Sequence, residues 1–214
     1  MDYELPGKIK GVIFDLDGTL LDSLGVWQDI DRRFFARRGL TVPPDYMYAV
    51  NALEIYETAV YTIERFGLNE TPEAVMAEWT EMSIAAYANE LKLKPAVKDY
   101  LHKLTAAGIR LAVATSSTTD MVIPALKNNG VYDMFDTVIT SSEVGKGKDN
   151  PDIFFAAAKA IGVTPDACAV YEDSLRAIKT AKAAGFTVIG VYDKHARADE
   201  PQIKQIVDGY VVFD

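Results

Sequence analysis

The hydrophobic pattern of the chain changes texture twice. Residues 11–14, Gly-Val-Ile-Phe, form a short apolar run of β-branched and aromatic residues, the mark of a strand covered on both faces. The run stops abruptly at two carboxylates, Asp15 and Asp17, followed by Gly18 and Thr19. From residue 26 the period becomes helical. Trp27, Ile30, Phe34 and Phe35 share one face of a helix expected over 26–38, which ends at Gly39 before the breaker Val-Pro-Pro at 42–44. The spacing predicts a second helix over 46–66 closed by Gly67. Thr71 as N-cap and Pro72 at the first helical position open a third.

From Lys94 onward helix and strand alternate. Helices are expected over 95–107, 121–129, from about 151, and between the Glu-Asp-Ser at 172–174 and Gly185. Strands are expected at 110–114, 137–140, 167–171 and 187–191, with a loop at 143–150. This alternation predicts an α/β fold: a doubly wound parallel sheet with right-handed crossovers, carrying a second, smaller all-helical domain. The expected division is an α/β core of residues 1–20 and 91–214 and a helical insert of 21–90.

Composition narrows the possibilities. A chain of 214 residues with 49% hydrophobic content can bury a sizeable core. No run approaches a membrane span and the first ten residues lack a signal-peptide layout, so a cytoplasmic protein without a membrane partner is expected, as a monomer or weak homodimer. The net charge of −9 argues against nucleic acid as a partner. Most of that charge, −7, falls between Leu21 and Glu90, which supports two folding units. The single cysteine, Cys168, lies in an apolar run and reads as a buried structural thiol. The two histidines, His102 and His195, are too few and too far apart for a histidine zinc site, and His102 reads as a helix-surface residue. The aromatics of the insert, Trp27, Tyr46, Tyr48, Tyr56, Tyr61, Trp79 and Tyr87, read mainly as its own packing, with ligand contact as the alternative.

The candidate chemistry lies at strand ends. Asp15 and Asp17 are two apart, so on extended chain both point to one side, and like carboxylates that close repel unless a cation intervenes. A hard divalent ion such as Mg²⁺, shared with a substrate phosphate, resolves that repulsion. A calcium loop does not fit, because Ile13 and Leu24 would occupy loop positions 1 and 12, where oxygen ligands are needed. A plain surface turn remains the bland alternative for this stretch alone. Further along, Thr115, Lys148, Glu172 and Asp173 also fall at strand or loop ends, and in a doubly wound sheet such ends meet in one crevice. Each signal is weak alone, since hydroxyl runs cap helices and loop lysines are usually solvated. Together they describe a phosphoryl-transfer site.

The motif set is specific. Asp-Leu-Asp-Gly-Thr at 15–19, Thr115 within Ala-Val-Ala-Thr-Ser-Ser, Lys148 three residues before Pro-Asp-Ile-Phe, and Glu-Asp-Ser at 172–174 with Ala-Ala-Gly at 183–185 resemble the four motifs of the haloacid dehalogenase superfamily. The resemblance is closest to its β-phosphoglucomutase-like and phosphoglycolate-phosphatase-like branch, and it covers residues 1–20 and about 91–214. The insert resembles a helical cap in position and character, with hinges near 20–23 and 89–94 and a role in closing the site to water.

The resemblance implies that Asp15 is the nucleophile and that Mg²⁺ is bound by the Asp15 carboxylate, the Asp17 main-chain carbonyl and Asp173. Asp17 would serve as general acid and base. Lys148 would be the cation for Asp15 and the phosphoryl oxygens, and Gly18, Thr115 and Ser116 would line the phosphate. Glu172 would touch the metal through water or orient Lys148. Two departures, Ala177 for a glycine and Asp149 for a proline, remove no catalytic group.

Within the family, Asp17 speaks against dehalogenation, and the absence of lysine between residues 21 and 90 speaks against phosphonate cleavage through a Schiff base. Trp27 stands where mutases carry a histidine. The resemblance therefore implies a Mg²⁺-dependent phosphatase for a small phosphorylated metabolite, a sugar phosphate or nucleotide-like monophosphate. The alternatives are a β-phosphoglucomutase-type mutase and a non-catalytic phosphate-binding or regulatory protein.

Overall fold

A computed structural model describes residues 5–50 and 53–213. The chain separates into two compact units, one formed by the residues up to Leu24 and from Leu91 onward, the other by Gly25–Glu90. Strand β1 (Gly11–Phe14) opens the first unit. The chain then makes the helical unit from α1 (Val26–Arg37), α2 (Tyr46–Val50), α3 (Ile55–Phe66) and α4 (Pro72–Asn89). On return it runs α5 (Val97–Ala106), β2 (Arg110–Thr115), α6 (Thr119–Asn128), β3 (Thr137–Thr140), α7 (Ser141–Val144) and α8 (Asp152–Ala160). It finishes with β4 (Cys168–Glu172), α9 (Leu175–Ala183), β5 (Thr187–Val191), α10 (Glu200–Ile206) and β6 (Gly209–Val211).

The strands form one parallel sheet in the order β3-β2-β1-β4-β5-β6. Parallel pairing requires a crossover between strands, so helices cover both faces and the inner strands lose all polar alternation. All four residues of β1 and all five of β4 and β5 are buried, as the apolar runs predict. Ile13 sits in register between Ala112 and Val170, at the middle of a core that also takes Ile153, Phe154 and Ile178 from the helices. Cys168 belongs to this core, and burial pushes its thiol up to about 12, which keeps it an inert apolar group.

Residues 20–24 stay with the first unit for a physical reason. Leu20 and Leu21 are fully buried, Leu21 forms an antiparallel bridge with Leu93, and the Asp22 N–H donates to the Lys92 carbonyl at 3.1 Å. The outgoing and returning chain segments thus hold each other.

The helical unit has its own aromatic core. Phe35 packs edge-on against Phe34, Tyr46 and Phe66, while Phe34 also meets Trp79. Arg38 lies 3.6 Å over the Phe34 ring and pairs with Glu70 and Glu78. Thr71 caps α4 by accepting from the Ala74 N–H, with Pro72 at the start, as the sequence predicts.

Four features depart from the sequence expectation. The helix expected over 46–66 is two helices, because Glu54 is extended (φ −70°, ψ 158°) and caps α3 in a reciprocal box with Glu57; residues 51 and 52 lie outside the described residues. Trp27 is 44% exposed rather than on the core face, since the buried set is Val26, Ile30 and Phe34, four apart, and its neighbour Phe35. Tyr48 and Tyr56 are exposed as well, unlike Tyr46, Trp79 and Tyr87. The loop expected from 143 begins inside α7, which Thr140 and Glu143 cap reciprocally and Gly145 closes at φ 75°.

Truncating Phe35 to alanine removes a fully buried ring from the helical core. It is expected to cost about 3–5 kcal/mol, read as a lower denaturant midpoint, with the Asp15 environment unchanged.

Candidate active site

The turn after β1 sets the geometry. The Asp15 N–H continues the parallel ladder by donating to the Tyr171 carbonyl at 2.9 Å, which places Asp15 beside the end of β4. Glu172 ends β4 and Asp173 follows it, so three carboxylates meet at neighbouring strand ends. One oxygen from each of Asp15, Glu172 and Asp173 lies within 4.8 Å of the others, and all three residues are buried. Gly18 makes the close approach possible. Its φ of +82° suits glycine, and a Cβ there would stand 2.5 Å from Asp173 Oδ2. Thr19 then donates from Oγ1 to Asp173 Oδ1 at 3.2 Å.

Lys148 enters from the loop before α8. Its Nζ donates to Asp15 Oδ1 and, at 2.9 Å, to Glu172 Oε2, and the residue is 8% exposed. Glu172 uses its other oxygen to accept the Ser174 N–H at 3.0 Å, so it holds the lysine in place as well as joining the acidic group. Burial pulls the Lys148 ammonium down, yet the adjoining Asp15 and Glu172 charges outweigh it and hold the group protonated.

The carboxylates remain in excess. Burial, then Glu172, push Asp15 up to about 8 against the opposing pull of Lys148. Burial, then Glu172, Asp15 and Asp193, push Asp173 up to about 9. When all three carboxyls are ionised they share one ammonium, an excess of about two negative charges, the amount a divalent cation carries. An all-oxygen donor set in a compact buried group suits a hard ion of that kind.

Asp17 is held apart from this group. Its carboxylate accepts from Ser23 Oγ at 2.6 Å and from Ser117 Oγ at 2.7 Å. Thr115, buried at the end of β2, accepts the Ser117 N–H on Oγ1 at 3.0 Å, which turns the hydroxyl run toward β1. Ser116 is exposed at the same edge, its Oγ 3.4 Å from Ser141 Oγ.

The structure thus gathers Asp15, Glu172 and Asp173 and joins Lys148 to the first two, with Asp17, Gly18 and Thr115 adjoining. Sequence reasoning missed Thr19, Ser23 and Ser117. Ser117 was legible only as one hydroxyl among several, and Ser23 only once its spacing from Asp17 in the turn is known.

A family profile described as haloacid dehalogenase-like hydrolase matches residues 12–191. This chain is a haloacid dehalogenase-like hydrolase. It is 30% identical to the fructose-1-phosphate phosphatase YqaB of Escherichia coli over 86% of this chain and 97% of that one. It is 29% identical to hexitol phosphatase A of the same organism, over 93% and 89%. Among solved structures, CbbY of Rhodobacter sphaeroides in complex with phosphate aligns with a TM-score of 0.74 at 25% identity, covering 95% of this hydrolase and 93% of CbbY.

The raised carboxyls make the metal-free hydrolase sensitive to alkali. The folded protein keeps protons on Asp15 and Asp173 up to about 8 and about 9, whereas the ordinary value is 3.8. The stabilisation is therefore full below that ordinary value and lost as pH rises through the folded values. After chelation, Tm is expected to fall between about pH 5 and about pH 9, and Asp173→Asn should flatten that slope in calorimetric scans.

Proposed function

We propose that the protein is a Mg²⁺-dependent phosphatase acting on a small phosphorylated sugar or a similar monophosphate. The chain is an enzyme of the phosphoric monoester hydrolase class, and phosphorylated metabolites are its substrates. The observation that carries the finer reading is the contact of Asp15 with Lys148 beside Glu172 and Asp173, at the carboxyl ends of β1 and β4. The sugar-phosphate assignment draws on the relatives whose names specify fructose 1-phosphate and hexitol phosphates.

In this reading Asp15, Asp173 and the Asp17 carbonyl would hold a Mg²⁺ ion, which would supply positive charge to offset the carboxylates and the phosphate. Lys148 fixes the Asp15 carboxylate and offers its charge to the phosphoryl oxygens. An oxygen of Asp15 attacks phosphorus while Asp17 gives a proton to the departing alcohol oxygen, leaving an aspartyl-phosphate. Water then attacks that phosphorus, Asp17 takes back a proton, and inorganic phosphate leaves with Asp15 restored. Ser23 and Ser117, both hydroxyl donors to Asp17, hold its carboxylate ready for the two transfers. Gly18, Thr115 and the Ser116 N–H border the phosphate.

Hydrolysis is favoured over phosphosugar isomerisation because Trp27 stands where mutases carry a histidine, and Trp27 offers neither an acid nor a base. A screen of sugar phosphates, polyol phosphates and nucleoside monophosphates with Mg²⁺ should release inorganic phosphate from the first two groups most rapidly. Asp15→Asn is expected to lower kcat at least about a thousandfold, and chelation should abolish turnover until Mg²⁺ is restored. Turnover surviving both treatments, or glucose 6-phosphate formed from β-glucose 1-phosphate in place of free phosphate, would overturn the assignment.

A further inference from the structure

Besides Lys148, the described residues hold one further lysine whose ion pair is buried on both sides. Lys94 Nζ lies 2.9 Å from Asp193 Oδ2, with the side chains 9% and 2% exposed. Lys94 stands where the chain re-enters the α/β unit, and its N–H donates to the Leu20 carbonyl at 2.9 Å. Its ammonium also donates to the Tyr192 carbonyl at 2.6 Å, and the second oxygen of Asp193 accepts the His195 N–H at 2.8 Å. The pair therefore ties the loop after β5 to the chain beside β1.

The sheet register brings this loop to the acidic group. Glu172 pairs with Gly190 across β4 and β5, so Asp173 and Asp193 leave adjacent strand ends. His195 and Asp173 line one open cavity. Asp193 is also one of the charges acting on the Asp173 carboxyl, after burial, Glu172 and Asp15. A carboxylate this buried, on the neighbouring strand end, is little screened by water.

We propose that the Lys94–Asp193 pair sets the affinity of the Asp15–Glu172–Asp173 group for its divalent cation. Neither residue is a ligand; both are positioning residues acting through charge, and the inference rests on the metal-dependent reading above. Asp193 strengthens the negative potential that attracts the cation, and Lys94 caps that effect so that the ion remains exchangeable. A structural tie alone makes a different forecast, since breaking it from either end loosens the loop and weakens binding both times.

Titration calorimetry of the full, chelator-treated chain with MgCl₂ separates the two. It is run at one pH for all variants, in buffers of different ionisation enthalpy, so that proton release does not mask the charge effect. Mg²⁺ binding by the native protein tests the metal reading itself; its absence would remove both proposals. Given binding, Lys94→Met is expected to tighten Kd about five- to tenfold and Asp193→Asn to weaken it by a similar factor. The double variant should return to within about twofold of native. Shifts in the same direction, or none, overturn the inference. If Lys94→Met does not fold, Asp193→Asn and the double variant decide: a weakening reversed in the double supports the proposal, and a weakening retained there refutes it.

Discussion

The structure turns on an imbalance of charge at the end of its middle strand. Three buried carboxylates, Asp15, Glu172 and Asp173, gather within 4.8 Å around one ammonium, that of Lys148. Such a group is costly to bury, and backbone pairing fixes the strand ends that carry Asp15 and Glu172. The parallel ladder runs past β1 to bind the Asp15 N–H, and Gly18 leaves space that any side chain would fill. The fold provides a stiff frame, and the frame holds like charges together against their repulsion. In the reading proposed above, a divalent cation would relieve that repulsion.

The division of labour among the acids follows from their surroundings. Asp15 and Asp173 are both buried and both face the Glu172 charge, so both carboxyls sit far above the ordinary range. Asp17, two residues from Asp15, is instead gripped by the hydroxyls of Ser23 and Ser117. Two residues of one type in one turn thereby have unlike surroundings, one inside the charged group and one beside it. The hydroxyl run after β2 serves the same separation, because Thr115 accepts the N–H of Ser117 and turns that residue toward Asp17.

Much of this was legible in the sequence, for identifiable reasons. Fully buried strands read as unbroken apolar runs, so Val12–Phe14 and Val188–Val191 were recoverable, and the polar residues ending such runs marked the site. Local hydrogen bonding was harder to read. The interruption at Glu54 and the short helix at Ser141–Val144 both depend on reciprocal caps spaced three residues apart, Glu54 with Glu57 and Thr140 with Glu143, within stretches whose hydrophobic period suggests something else. The edge strand β6 is only three residues long and offers too little pattern. Contacts such as Ser117 with Asp17 or Lys94 with Asp193 join residues about a hundred positions apart, and no local pattern encodes them.

The placement of β1 also bears on how the chain is made. The strand that lies in the middle of the sheet precedes the other five along the chain, yet its two neighbours are β2 and β4. Until Cys168–Glu172 has emerged, one whole edge of the nascent Gly11–Phe14 segment has no partner, and its apolar side chains have no finished core to enter. The Gly25–Glu90 segment is contiguous and needs nothing downstream for its internal contacts. Synthesis therefore completes the helical unit before Cys168–Glu172 is made, while β1 waits for that later strand.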